Sequence, residues 1–123
     1  MNNNHHSTNL LLNLGFESLN EMQVAAQEAI LEESNVLLLS PTGSGKTLAF
    51  LMPIFEMLQP EILSVQCLII VPSRELGLQI EQVWKKMGTG YKANVCYGGH
   101  SLDTEIKNLS NPPAVLIGTP GRL

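Results

Sequence analysis

Apolar residues recur along the chain with two spacings, and the alternation between them predicts the elements. Thr8 caps a short helix that runs through Leu14 and stops at Gly15. Asn20 caps a second helix, which Asn35 breaks. In it Glu21, Glu28, Glu32 and Glu33 face water, while Met22, Ala25, Ala26, Ala29 and Ile30 supply the apolar side. Val36 to Leu39 is a continuous apolar run, as expected of a strand covered on both faces. The next helix carries Leu48, Leu51, Met52, Phe55 and Leu58 on one stripe. Pro53 lies inside it and predicts a kink or local break.

The same alternation continues. Cys67 to Val71 is a second buried strand, closed by Pro72. Ser73 caps a helix on which Leu76, Ile80, Val83 and Met87 repeat, with Trp84 beside the stripe as core. Gly77 costs this helix about 1 kcal/mol relative to Ala. Ala93 to Tyr97 is a third strand, ended by Gly98-Gly99, and Leu102 to Leu109 is a short helix. Ala114 to Ile117 is a fourth strand, followed by Gly118-Thr119-Pro120-Gly121. Strand and helix in alternation predict an α/β domain with a partial parallel sheet flanked by helices. Ligands then belong at the carboxyl ends of the strands.

Composition narrows this picture. With 123 residues, 44% hydrophobic and 15% charged, the chain has enough apolar content for a packed core. The net charge of −4 gives no basic excess. It does not exclude nucleic acid, because one face with backbone amides and a few cations suffices to hold phosphates. Cys67 and Cys96 lack metal-ligand spacing and read as free thiols of a reducing compartment. No leader and no apolar run of membrane length is present, so a cytoplasmic, membrane-free protein is expected. His5 and His6 fall in the polar stretch Met1 to Thr8, a solvated tail.

The chemistry concentrates in Ser40-Pro41-Thr42-Gly43-Ser44-Gly45-Lys46-Thr47, between the first predicted strand and a helix. That context is what a phosphate-binding loop requires. Gly43 and Gly45 allow a tight turn whose N–H groups point inward, and the helix start adds unpaired N–H groups and partial positive charge. Lys46 would reach the β- and γ-phosphates, and the Thr47 hydroxyl would coordinate Mg²⁺. These two are the candidate catalytic residues, and Thr47 is the candidate metal ligand. Ser40 stands where the strict pattern has Gly; a small residue still fits.

The remaining strand ends carry donors suited to an extended phosphate ligand. Pro72-Ser73-Arg74-Glu75, Gly98-Gly99 and Thr119-Pro120-Gly121-Arg122 offer two guanidinium forks, hydroxyls and uncovered backbone N–H groups. Taken together with the loop, they resemble the first RecA-like domain of the DEAD-box ATP-dependent RNA helicases. Residues 40–47 are similar to that family's motif I. Pro72-Ser73-Arg74-Glu75-Leu76 resembles motif Ia, with Ser73 where Thr is common and Gly77 where Ala is common. Gly98-Gly99 resembles the double-glycine motif, and Thr119-Pro120-Gly121-Arg122 resembles motif Ib. Gly15-Phe16 with Gln23 is similar to the adenine-reading Q motif, although Leu19-Asn20-Glu21-Met22 stands where the family has Pro-Thr-Pro-Ile. The resemblance implies that Gln23 would hydrogen-bond the adenine edge and Phe16 would stack on the base. It implies ATP and Mg²⁺ as cofactors and RNA, single-stranded or duplex, as partner, gripped by its backbone with little sequence preference.

The resemblance also sets an expectation about extent. The family's Asp-Glu-Ala-Asp run, arginine finger and second RecA-like domain have no counterpart in this sequence. Residues 1–14 then form a tail and short helix, and residues 15–123 an incomplete ATP-binding domain of a longer helicase. Such a chain is expected to bind nucleotide without hydrolysing it. Two alternatives stay open: another P-loop enzyme such as a DNA helicase or nucleotide kinase, and a non-enzymatic nucleotide- or partner-binding module.

Overall fold

The computed structural model describes residues 9–96 and 111–121. The predicted cap Thr8, the tail histidines, the helix at 102–109, Gly98, Gly99 and Arg122 lie outside the described residues. The chain divides into two compact units, one up to Met57 and one from Leu58 onward.

The first unit is helical among its described residues. Residues 9–13 form α1, which buries Leu10 and Leu11. α2 spans Glu21–Glu32 and α3 spans Lys46–Met57, and the two pack against each other. α2 starts where the sequence says. The Asn20 side chain accepts from the N–H of Gln23, and the Gln23 side chain accepts from the N–H of Asn20, a reciprocal capping box. The buried residues of α2 are Gln23 and Ala26, whereas Ala25, expected on the apolar side, is exposed. α3 buries Leu48, Leu51 and Met52 as predicted, and Ala49 besides, while Phe55 is half-buried and Leu58 falls beyond its end; it continues as one helix through the buried Pro53.

The expected strand at Val36 to Leu39 does not form. The segment pairs with no other among the described residues, and Leu37 and Leu39 are 84% and 83% exposed. The apolar run meets the compositional demand of a strand, but a strand is held by a ladder of backbone bonds to a neighbour. The first unit supplies helices and no such neighbour among its described residues.

The second unit holds a three-stranded parallel sheet in the order β1-β3-β2. β1 is Cys67–Ile70, β2 is Ala93–Cys96 and β3 is Val115–Gly118. β3 sits in the middle, with Val115 and Ile117 fully buried. β1 departs from the expectation of a strand covered on both faces: Leu68 and Ile70 are exposed, and among the described residues it lies at an edge of the sheet.

α4, Arg74–Met87, packs on β2 and β3. Ser73 caps it, its Oγ accepting from the N–H of Leu76 at 3.3 Å. The buried face is Gly77, Ile80, Trp84 and Met87, rotated from the predicted stripe, so that Leu76 is exposed. The reason lies in Gly77. A Cβ there would lie 3.3 Å from Val95 and 3.4 Å from Val71, so the missing side chain lets α4 approach the sheet closely. Trp84 is core, as expected, and its Nε1–H donates to the carbonyl of Tyr91 at 2.9 Å. Cys67 and Cys96 are both free thiols.

Candidate functional site

In the first unit, the loop 40–47 folds back on itself. Lys46 Nζ donates to the carbonyl of Ser40 at 2.8 Å, and Ser44 Oγ donates to the carbonyl of Pro41 at 2.6 Å. The hydroxyls of Ser40 and Ser44 touch each other. Gly43 and Gly45 take φ of +83° and +91°, the left-handed region where a side chain is strained. The carbonyl of Gly45 accepts the first bond of α3, from the N–H of Ala49. That leaves the N–H groups of Lys46, Thr47 and Leu48 without acceptors inside the helix.

α2 holds this loop from the side. Gln23 Nε2 donates to the carbonyl of Gly45 at 3.1 Å, and Asn20 Nδ2 donates to the carbonyl of Ser44 at 3.1 Å. Gln23 is 7% exposed, so its amide is a buried, bonded group and not a helix-surface one. A Cβ on Gly45 would collide with Gln23 Nε2, which makes glycine a packing requirement here as well as a conformational one. Phe16 is half exposed, its N–H bonded to the carbonyl of Leu11. Sequence reasoning saw Asn20 as a helix cap and missed its bond to the loop. The signal was available: asparagine, unlike Ser, Thr or Asp, has an N–H₂ to give after its oxygen has capped a helix.

The fit of these residues to a polyphosphate and its Mg²⁺ follows from the donor set. Two glycines with positive φ, an ammonium group and the open end of a helix concentrate donors and positive potential. Thr47 lies in the first turn of α3, and its hydroxyl is the candidate ligand for a metal held by phosphate oxygens.

In the second unit, the sheet brings two predicted segments to one edge. Ile70 is in register with Gly118, and the N–H of Val71 donates to the carbonyl of Gly118 at 3.0 Å. Pro72-Ser73-Arg74-Glu75 and Thr119-Pro120-Gly121 therefore leave from adjacent strand ends. Pro72, Arg74, Glu75, Pro120 and Gly121 are exposed, and Ser73 and Thr119 are half-buried. β2 ends at the same edge, its Cys96 in register with Gly118. Among the described residues no cluster of His, Cys, Asp or Glu could hold a metal on its own, and no helix is long and apolar enough to cross a membrane.

Comparison with known proteins agrees with this geometry. The RecA-like α/β fold is shared with solved structures. The chain superposes on the DEAD-box helicase Mss116, solved with ssRNA and UDP-BeF, with a TM-score of 0.85 at 30% identity, covering 95% of this chain and 26% of that one. A hypothetical ATP-dependent RNA helicase from Sulfolobus tokodaii gives a TM-score of 0.80 at 30% identity, covering 97% and 34%. Residues 20–123 match the DEAD/DEAH box helicase family, and the chain belongs to that family.

Curated relatives include the DEAD-box ATP-dependent RNA helicase CshC of Bacillus cereus, 38% identical over 89% of this chain and 28% of the relative. The ATP-dependent RNA helicase dhh1 of Neurospora crassa is 37% identical over 96% of this chain and 22% of the relative. The chain thus spans about a quarter of the length of such relatives.

Proposed function

We propose that this chain is the nucleotide-binding part of an ATP-dependent RNA helicase. The observation that carries the reading is the loop 40–47, with its positive-φ glycines, its Lys46 and the open first turn of α3. Ser40, Pro41, Thr42, Gly43, Ser44 and Gly45 would wrap the phosphates with backbone N–H groups. Lys46 would neutralise the terminal phosphates and Thr47 would bind their Mg²⁺, which draws charge from the phosphoryl group when bound. Gln23 and Phe16 would face the adenine.

The edge formed by residues 72–75 and 119–121 is the proposed contact for RNA. Exposed donors there suit a sugar-phosphate backbone, which carries no sequence information. Gly98, Gly99 and Arg122 extend the same proposal along the sequence. Water positioning and transition-state charge stabilisation need groups this sequence does not contain, so the chain would bind ATP and leave its hydrolysis to the longer protein. The longer protein would work on RNA in the cytoplasm, with a second RecA-like domain closing over it.

Competition binding of ADP and GDP, with and without Mg²⁺, tests the reading. Preference for ADP, lost in Gln23→Ala, and loss of both nucleotides in Lys46→Ala are expected. Unchanged binding in Lys46→Ala overturns it.

A further inference from the structure

We infer that the pocket between the end of α4 and the start of β2 docks an acidic peptide segment of a partner protein. The pocket belongs to the second unit alone and is independent of the loop 40–47.

The residues that line it fall between Trp84 and Asn94, and it encloses about 400 Å³, room for a large side chain of a ligand and its neighbours. β2 starts here, at Ala93, whereas residues 72–75 and 119–121 leave from the opposite ends of the parallel strands. The pocket therefore sits at the other edge of the sheet from the proposed RNA contact.

Its walls are set before a ligand arrives. α4 ends at Gly88, whose φ of +71° turns the chain back toward β2. The carbonyl of Tyr91 accepts from Trp84 Nε1–H at 2.9 Å, and the N–H of Tyr91 donates to Thr89 Oγ1 at 3.1 Å. The Tyr91 hydroxyl donates to the carbonyl of Leu58 at 3.2 Å, and Lys92 Nζ donates to the carbonyl of Asn111 at 2.8 Å. A site braced in this way loses little entropy when it is filled.

What the pocket offers follows from those bonds. The polar atoms of Trp84 and Tyr91 are already engaged, so both rings line it as apolar surface. Its charged residues are Lys85 and Lys92, and none of the lining residues is acidic, in a chain whose net charge is −4. Lys92 gives one N–H to Asn111 and keeps two. Lys85 pairs with Glu81 at 3.4 Å, but its side chain is 67% exposed, so the pair is weak and a ligand carboxylate competes for it. Burial and then the charge of Glu61 push the Tyr91 hydroxyl up, and Glu61 stands outside the lining.

Apolar walls beside two ammonium groups match an apolar side chain flanked by carboxylates. A nucleic-acid strand matches less well. Its bases stack on open aromatic faces, whereas Trp84 is 1% exposed and Tyr91 is half-buried.

The test uses the whole chain and three probes: a peptide with one leucine between pairs of glutamates, the same peptide with lysine for glutamate, and a single-stranded oligouridylate. Trp84 is the single tryptophan, so its emission reads the pocket directly. The glutamate peptide should shift that emission and the amide resonance of Gly90, and the lysine peptide should do neither. Lys85→Ala and Lys92→Ala should each weaken the glutamate peptide about two- to fivefold, and together about tenfold. Lys86→Ala, which removes a neighbouring charge outside the lining, should stay within about twofold. Both lining lysines are exposed, so the thermal midpoints should match the wild type; if Lys92→Ala fails to fold, Lys85→Ala decides. A glutamate peptide that moves neither Trp84 nor Gly90 overturns the inference, as does a loss in Lys86→Ala equal to that in Lys85→Ala. Displacement of the peptide by oligouridylate assigns the pocket to nucleic acid, and self-association that Lys85→Ala abolishes assigns it to a second copy; either overturns the inference.

Discussion

Gln23 Nε2 donates to the carbonyl of Gly45 across 3.1 Å, joining a helix start to a glycine whose φ is +91°. Gly45 thus has two reasons to lack a side chain, and Gly43, with φ +83° and open space around it, has one. Gly43→Ala should lose about 1–2 kcal/mol of stability from backbone strain. Gly45→Ala should lose more, because Gln23 must also move. Urea denaturation of the two variants side by side checks the order, and equal losses would show that the Gln23 contact carries no weight.

Gly77 invites the opposite substitution. Replacing it by Ala gains helix propensity and tightens contacts at 3.3 Å to Val95 and 3.4 Å to Val71, so the two effects oppose each other and the net change should stay within about 1 kcal/mol. Gly77→Leu has no room against β2 and should destabilise by about 1–3 kcal/mol or more. Thermal unfolding followed by the fluorescence of Trp84, buried about two turns further along the same helix face, reads both variants.

Asn94 on β2 has a buried Nδ2 with no hydrogen-bond partner among the described residues. An unbonded buried amide is a standing cost, and a β-branched apolar residue suits a strand. Asn94→Val should raise stability by about 1 kcal/mol. A lowered denaturation midpoint would mean that the amide is satisfied in solution.

Burial raises the Cys67 thiol above its ordinary value of 9.0. The native state therefore favours the neutral thiol. Cys67 adds no pH dependence to stability below the ordinary thiol range, and native stability falls only as pH rises through that range toward the raised value. Alkylation by iodoacetamide at mildly alkaline pH should be slower in the folded chain than in urea; equal rates would contradict the burial.

What the sequence disclosed and what it concealed divide along a physical line. The caps Asn20 and Ser73 and the turn glycines Gly43 and Gly45 were legible because each signal is local, set by neighbours within a turn. The missing strand at residues 36–39 was not, because a strand depends on a ladder partner elsewhere in the chain. The face of α4 was misjudged by one residue because Gly77 counts as no hydrophobe, yet its smallness decides which side meets the sheet. The burial of Gln23 and the second bond of Asn20 were hidden for a related reason. Polar groups declare that they need partners, but not which ones.

The strand order β1-β3-β2 places the last of the described strands in the middle of the sheet. β1 and β2 each pair with β3, and neither pairs with the other. During synthesis both must therefore wait for residues 115–118 before either gains a ladder bond in this sheet. The pairing of Cys67 with Val115 closes a long loop, a non-local contact of the kind that slows folding. Until β3 leaves the ribosome, the backbone of β1 stands without its partner in this sheet and open to other chains, so the folding order itself creates the interval in which a chaperone is most useful.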